Sequence, residues 1–268
     1  MTLQSRRVAL VTGASAGIGK AFAEQLAIQG HDLVITARRA ERLESLAREL
    51  RAEHDTRVEV IAADLSDPSA SQTLFDAIHQ RGMFIDVLVN NAGYGLGGGY
   101  RSTSWQQNAE LLQVLVTAVA HLTHLCVPGM VERGYGRIVH VASLAGLIHG
   151  APGNTIYAAS KAFLVRFAES LALELEGTGV TVTAVCPGYT RSEFHDVAGT
   201  RNLVSKTPGF AWMDAETVAR QGIDAALRGQ TVYVNGVFNR AVEAAMRFLP
   251  KAAARGIMRG QAKRYRKY

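Results

Sequence analysis

Two cysteines in 268 residues leave no room for a disulfide framework, and neither Cys126 nor Cys186 has the CxxC or Cys/His spacing of a zinc site. No metal is expected, and a reducing, cytoplasmic setting is. Proline is equally sparse, at six. No proline- or serine-rich linker and no internal repeat interrupts residues 1–235. Arg6-Arg7 opens on an apolar run too short for a signal peptide. Charged residues make up 19% against 48% hydrophobic, which excludes a disordered chain and allows a sizeable core.

The net charge of +6 is local. Residues 240–268 hold nine basic residues against one acid, so residues 1–239 carry −2. That distribution excludes a basic, nucleic-acid-binding body. In the tail, apolar residues at helical spacing (Val242, Ala245, Met246, Phe248, Leu249) sit among the basic ones. Such a segment suits peripheral contact with a membrane surface or an acidic partner, and equally a solvated terminus. One charge-free stretch, 111–131, approaches spanning length. Gln113, His121, Thr123, His124 and Pro128 inside it predict a buried helix instead.

Apolar β-runs alternate with helical segments along the chain. Strands are predicted at 7–11, 32–37, 58–63, 85–89, 136–141, 181–185 and 231–234, and helices at 20–29, 40–51, 68–81, 111–131, 157–176 and 215–227. The strands are near-continuous Val/Ile/Leu/Ala runs, as a sheet covered on both faces requires. The expectation is an α/β fold: a single doubly wound, Rossmann-type domain over residues 1–239 with a parallel sheet of about seven strands, then a tail at 240–268.

Thr12-Gly13-Ala14-Ser15-Ala16-Gly17-Ile18-Gly19 lies between the first strand and the first helix. Glycines there allow a tight turn close to a pyrophosphate at a helix N-terminus. The spacing is TGxxxGxG, not the general GxGxxG. At the end of the second strand a carboxylate would hold a ribose 2′-hydroxyl and favour NAD. Arg38 and Arg39 stand there instead, and guanidinium groups suit the 2′-phosphate of NADP. They would also suit the exposed start of a charged helix.

Tyr157 and Lys161 share a helical face at i and i+4, where an ammonium would lower the tyrosine pKa. Ser143 follows the fifth strand, Asn90-Asn91-Ala92-Gly93 the fourth, and Pro187-Gly188-Tyr189-Thr190 the sixth. With these motifs in order, the chain resembles the short-chain dehydrogenase/reductase family over residues 6–235. The resemblance implies an NADP-dependent oxidoreductase acting on a small-molecule carbonyl or alcohol, with the possibility of homo-oligomers. It implies Tyr157 as general acid, Lys161 as its modulator and ribose ligand, and Ser143 as the group that orients the carbonyl. For the cofactor it implies Thr12, Gly13, Ser15, Gly17, Ile18 and Gly19 at the diphosphate. Asp64 and Leu65 would flank the adenine, Asn91, Ala92 and Gly93 would form the floor, and Pro187, Gly188 and Thr190 would hold the carboxamide.

One position departs from the family. Its helix asparagine, which holds a relay water behind the lysine, aligns with Leu115. A dinucleotide-binding regulatory or scaffold protein with little turnover is therefore the second reading. Substrate specificity falls to 144–156, with Leu147, Ile148 and Pro152, and to 191–213. The latter mixes Phe194, Phe210 and Trp212 with Arg191, His195 and Arg201. Together they suit an apolar carbonyl compound with a polar end.

Overall fold

The computed structural model describes residues 6–250 except 154 and 206, together with 252–254, 256 and 259. The remainder of the expected basic tail, including Lys251, Arg255 and residues 260–268, lies outside the described residues.

Each β-run ends at a turn that sends the chain back along the sheet as a helix. In chain order these are β1 (Val8–Thr12), α1 (Gly17–Ile28), β2 (Asp32–Thr36), α2 (Ala40–His54), β3 (Val58–Val60), α3 (Ala70–Gln80) and β4 (Ile85–Asn90). Next come α4 (Trp105–Leu112), α5 (Ala118–Glu132), β5 (Gly136–Val141), α6 (Thr155–Glu174) and β6 (Val180–Cys186). The last are β7 (Tyr189–Arg191), α7 (Phe194–Val197), α8 (Arg201–Val204), β8 (Trp212–Asp214), α9 (Ala215–Leu227), β9 (Val232–Val234) and α10 (Val237–Phe248). Seven strands form one parallel sheet in the order β3-β2-β1-β4-β5-β6-β9.

Alternation along the strands divides the core in two. Leu10, Leu88 and Ile138 face α3, α5 and α6, while Val11, Val89 and Val139 face α1, α2 and α9. β1 is buried at all five positions, which is why it reads as an unbroken apolar run. The direction of winding reverses between β1 and β4, and a crevice opens there at the carboxyl ends of the strands.

The long apolar helix differs from its predicted span. It begins at Trp105, capped by Ser104, whose side chain accepts from Gln107 N at 3.2 Å while Gln107 Oε1 accepts from Ser104 N at 2.9 Å. It passes through a π turn at Gln113–Thr117 and continues to Glu132. By length and composition Trp105–Glu132 is the one helix among the described residues that could cross a membrane. Val114, Val119, Leu122, Cys126 and Met130, however, belong to the core cluster with the strands. It is a core helix.

β3 ends at Val60, short of the predicted Ala63, although Ile61 N and Ala63 N still bond to Ile35 O and Ala37 O. The two-stranded β7–β8 sheet lies between 185 and 215, where no strand is predicted. Helix α10 runs through the expected boundary between residues 239 and 240.

Candidate active site

A cavity of about 690 Å³ fills the crevice. Of the residues expected at a cofactor or catalytic site, it is lined by Gly13, Ser15, Gly17, Ile18, Arg38, Arg39, Asp64, Leu65, Asn91, Ala92, Gly93, Ser143, Tyr157, Lys161, Pro187, Gly188 and Thr190. Thr12 and Gly19 stand behind it. The Thr12 hydroxyl accepts from Asn91 N and Ala92 N, both at 3.0 Å, and donates to Val89 O at 3.2 Å. Thr12 therefore fixes the loop after β4 and does not face the cavity. At Gly13 the backbone has φ +68, and a Cβ would come within 2.8 Å of Ala92 Cα and of Asn91 Nδ2. Only glycine lets the two loops pack this closely. Asn91 Nδ2 then donates to Thr12 O at 2.9 Å.

Helix α1 opens with no capping side chain and no acid in its first turn. Its first N–H groups and the positive end of its dipole are left for an anion. No carboxylate ends β2. Arg38 lines the cavity and makes no ion pair among the described residues. Arg39 donates to Ser15 Oγ through Nε at 3.3 Å and Nη2 at 3.0 Å. The Asp64 carboxylate accepts from Ser66 N and Ser66 Oγ at 3.0 and 2.8 Å, so it orders its own turn at the cavity edge.

Ser143, Tyr157 and Lys161 come from two elements, the end of β5 and the first turns of α6. Lys161 Nζ donates to Val141 O at 2.6 Å and lies 5.6 Å from the centre of the Tyr157 ring. Burial pushes the Tyr157 hydroxyl up to about 12, with the nearby Ser143 hydroxyl pulling partly the other way. The sequence spacing alone suggests a lowering by Lys161, but burial is the larger effect. Burial also brings Lys161 down to about 8. Ser143 Oγ accepts from Ala145 N at 3.1 Å, and Leu144 N donates to Pro187 O at 2.9 Å, tying the loops after β5 and β6 together.

Behind Lys161 lies a buried polar layer. Asn90 Nδ2 donates to Thr123 Oγ1 at 3.1 Å and meets His140 Nδ1 at 3.3 Å. Burial, with a smaller contribution from Lys161, lowers His140 to about 3, so the imidazole is neutral. Asn90 Oδ1 and His140 Nε2 have no partner among the described residues. Leu115, in the π turn, is fully buried.

The substrate end combines Ile148 with Phe194 and His195, and adds Tyr94, Phe238 and Val242, which no motif marks. The Phe194 ring lies 5.4 Å from that of Tyr157. Phe210, Trp212, Arg191 and Arg201 do not line this cavity. Phe210 stands exposed beside Phe238, 5.2 Å between ring centres, while Arg191 pairs with Asp214 and Arg201 with Asp196. Trp212 lies tilted against Tyr189 and edge-on to His195. Asn239 of α10 is buried against Gly188 and donates to Asn235 O at 2.7 Å. Among the described residues no group of three or more His, Cys, Asp or Glu side chains could hold a metal ion.

Residues 7–202 match the family model described as short chain dehydrogenase. Nodulation protein G of Rhizobium sp. (strain N33) is 36% identical over 239 residues, 86% of this chain and 96% of that protein. A 3-oxoacyl-acyl-carrier-protein reductase of Haemophilus influenzae is 30% identical, over 86% of this chain and 97% of its own length. Among solved structures, a short-chain dehydrogenase from Sphingobium yanoikuyae in complex with NADPH superposes with a TM-score of 0.79. It is 32% identical and covers 92% of this chain and 97% of its own. With its glycine turn, Ser143 and Tyr157/Lys161 in one crevice, the chain belongs to the short-chain dehydrogenase family of oxidoreductases.

Proposed function

We propose that the protein transfers a hydride between NADP(H) and an apolar carbonyl compound or secondary alcohol. Ser143, Tyr157 and Lys161 would be its catalytic residues. One observation carries this reading: those three side chains share a single cavity with the glycine turn, Arg38 and Arg39. The cavity fits a phosphorylated dinucleotide, since the uncapped start of α1 offers N–H groups to a diphosphate and Arg38, at the cavity wall, makes no ion pair among the described residues.

The turn from Gly13 to Ile18 would hold the diphosphate, and Arg38 and Arg39 the 2′-phosphate. Asp64 and Leu65 would border the adenine, Asn91, Ala92 and Gly93 the floor, and Pro187, Gly188 and Thr190 the carboxamide. Bound there, the cofactor supplies or accepts the hydride. Tyr157, with its hydroxyl at about 12, is protonated at neutral pH and loaded to donate to a carbonyl oxygen. Ser143 orients that oxygen, and Lys161 sets the charge around the phenol. NADPH is expected to bind at least tenfold tighter than NADH, about 1.4 kcal/mol, with Arg38→Ala removing much of the gap. Leu115 favours the second reading, a dinucleotide-binding protein with little turnover.

The test is NADPH absorbance against a panel of carbonyl compounds, 3-oxoacyl thioesters included. Tyr157→Phe should keep NADPH affinity and lose turnover by about 10²-fold or more. No turnover of any compound, or an undiminished Tyr157→Phe, overturns the catalytic reading. Two buried thiols, Cys126 and Cys186, support a cytoplasmic setting. Exposed Trp105 on α4 and Phe163 and Leu173 on α6 support a homo-oligomer. The basic chain end supports a peripheral contact with anionic lipid.

A further inference from the structure

Glu193, in the loop after β7, reaches across to helix α2. Its carboxylate accepts from Arg42 Nη1 at 2.7 and 2.9 Å and from Arg39 Nη1 at 3.0 Å. Arg39 is thus held between the glycine turn, through Ser15, and this loop. Both neighbours of Glu193 sit at the cavity. Ser192 packs on the turn so closely that a Cβ at Gly17 would lie 2.9 Å from its own. Phe194 lies against Tyr157.

Two guanidiniums face one carboxylate, so the cluster keeps a surplus positive charge. A phosphate monoester, with about −1.5 to −2 at neutral pH and three acceptor oxygens where the carboxylate has two, would neutralise both arginines. All three side chains are close to half exposed, at 43–49%. Exposed pairs of this kind are weak enough to exchange.

We propose that Glu193 is an internal stand-in for the cofactor's 2′-phosphate. It holds Arg39 and Arg42 until a phosphate displaces it, which makes Arg42 a further phosphate ligand and Glu193 a specificity-determining residue. The inference rests on the NADP(H) reading above. Displacement also releases the loop that carries Phe194, so the phosphate at one end of the cavity is coupled to the wall beside Tyr157 at the other. NADH has no group to displace the carboxylate and gains nothing from the arginines.

The experiment measures dissociation constants of NADPH, NADH and adenosine 2′,5′-bisphosphate for the parent, Glu193→Gln, Glu193→Ala and Arg42→Ala. Both Glu193 variants should tighten NADPH and the bisphosphate about two- to tenfold and leave NADH unchanged. Arg42→Ala should weaken the two phosphate-bearing ligands alone. A parent that binds NADH and NADPH equally overturns the cofactor reading on which the inference stands. A parent with the NADPH preference, but with Glu193 variants that are unchanged, weaker for NADPH, or tighter for NADH as well, overturns the role of Glu193 alone.

Discussion

Leu115 packs on Gly93: a Cβ added at that glycine would lie 2.7 Å from the leucine Cδ2. The contact sits under the cavity floor, and Leu115 belongs to the π turn Gln113–Thr117. Single π turns inside α-helices recur at functional sites. The family that the sequence resembles has an asparagine here, holding a water in the proton route behind the lysine. Leucine offers no donor or acceptor, and a buried water needs two to four polar partners.

Leu115→Asn should therefore raise turnover if reprotonation of Tyr157 limits it, while NADPH affinity stays constant. The opposing effect is burial, since an unpaired asparagine costs about 1–3 kcal/mol. Steady-state rates and melting temperature together separate the two. A folded variant that binds NADPH normally and is no faster on any accepted substrate would show that the route does not use this side chain.

The pH profile of reduction should report Lys161. Its pKa is lowered to about 8, so the ammonium is charged below that pH and neutral above it, whereas Tyr157 stays protonated up to about 12. Carbonyl reduction is then expected to be level in kcat/KM below about pH 8 and to decline above it. Lys161→Arg, which keeps its charge past pH 12, should push the decline upward. A parent profile level to pH 10 would sink this assignment.

Elements bounded by strong local signals are legible in the sequence. β5 and α9 lie at Gly136–Val141 and Ala215–Leu227 as read, the first after the Gly134 turn, the second ended by Gly229. Ser104 and Gln107 also carry a helix-start signature, which the charge-free stretch beyond them overshadows. The π turn has no residue signature at all. At the site, spacing brings Thr12 and Gly19 to the right loop without saying which way they face: Thr12 holds Asn91, and Gly19 makes room for it. Arg42 and Glu193 stay invisible because an exposed pair 151 residues apart leaves no periodicity.

His140 should make the fold acid-sensitive. Its folded pKa of about 3 is depressed from 6.5, so the unfolded chain takes up the proton first as pH falls. Its contribution is fully present above pH 6.5 and is lost on descending toward pH 3, at about 1.4 kcal/mol per pH unit at most. His140→Asn removes the titration, though it gives up the stack on Phe167 (5.3 Å) and so starts less stable at pH 7. Melting temperatures at pH 7 and pH 5 should fall further for the parent than for the variant. Equal falls would mean that other groups govern the acid limb.

Helix α10 is expected to support the site, and the basic residues beyond Pro250 to serve a separate role. Asn239 is buried, its amide donates to Asn235 O and to Met213 Sδ at 3.5 Å, and it closes on Gly188. Phe238 and Val242 line the cavity. Removing everything after Phe238 strips Asn239 and Val242 from beside the loop that bears Thr190, and loss of NADPH binding or of solubility is expected. Beyond that inner face, Val237, Ala241, Ala244, Ala245 and Phe248 stand exposed at helical spacing, with Arg240 and Arg247 beside them. An apolar stripe with flanking arginines suits the surface of an anionic bilayer, and the basic residues after Pro250 add attraction worth about 1 kcal/mol each near such a surface. A chain ending at Pro250 should keep its NADPH affinity and lose most of its binding to phosphatidylserine-containing vesicles, while neutral vesicles bind neither form. Undiminished vesicle binding after the Pro250 cut would show that the basic end is not the anchor. Normal NADPH affinity after the Phe238 cut would show that α10 is dispensable to the site.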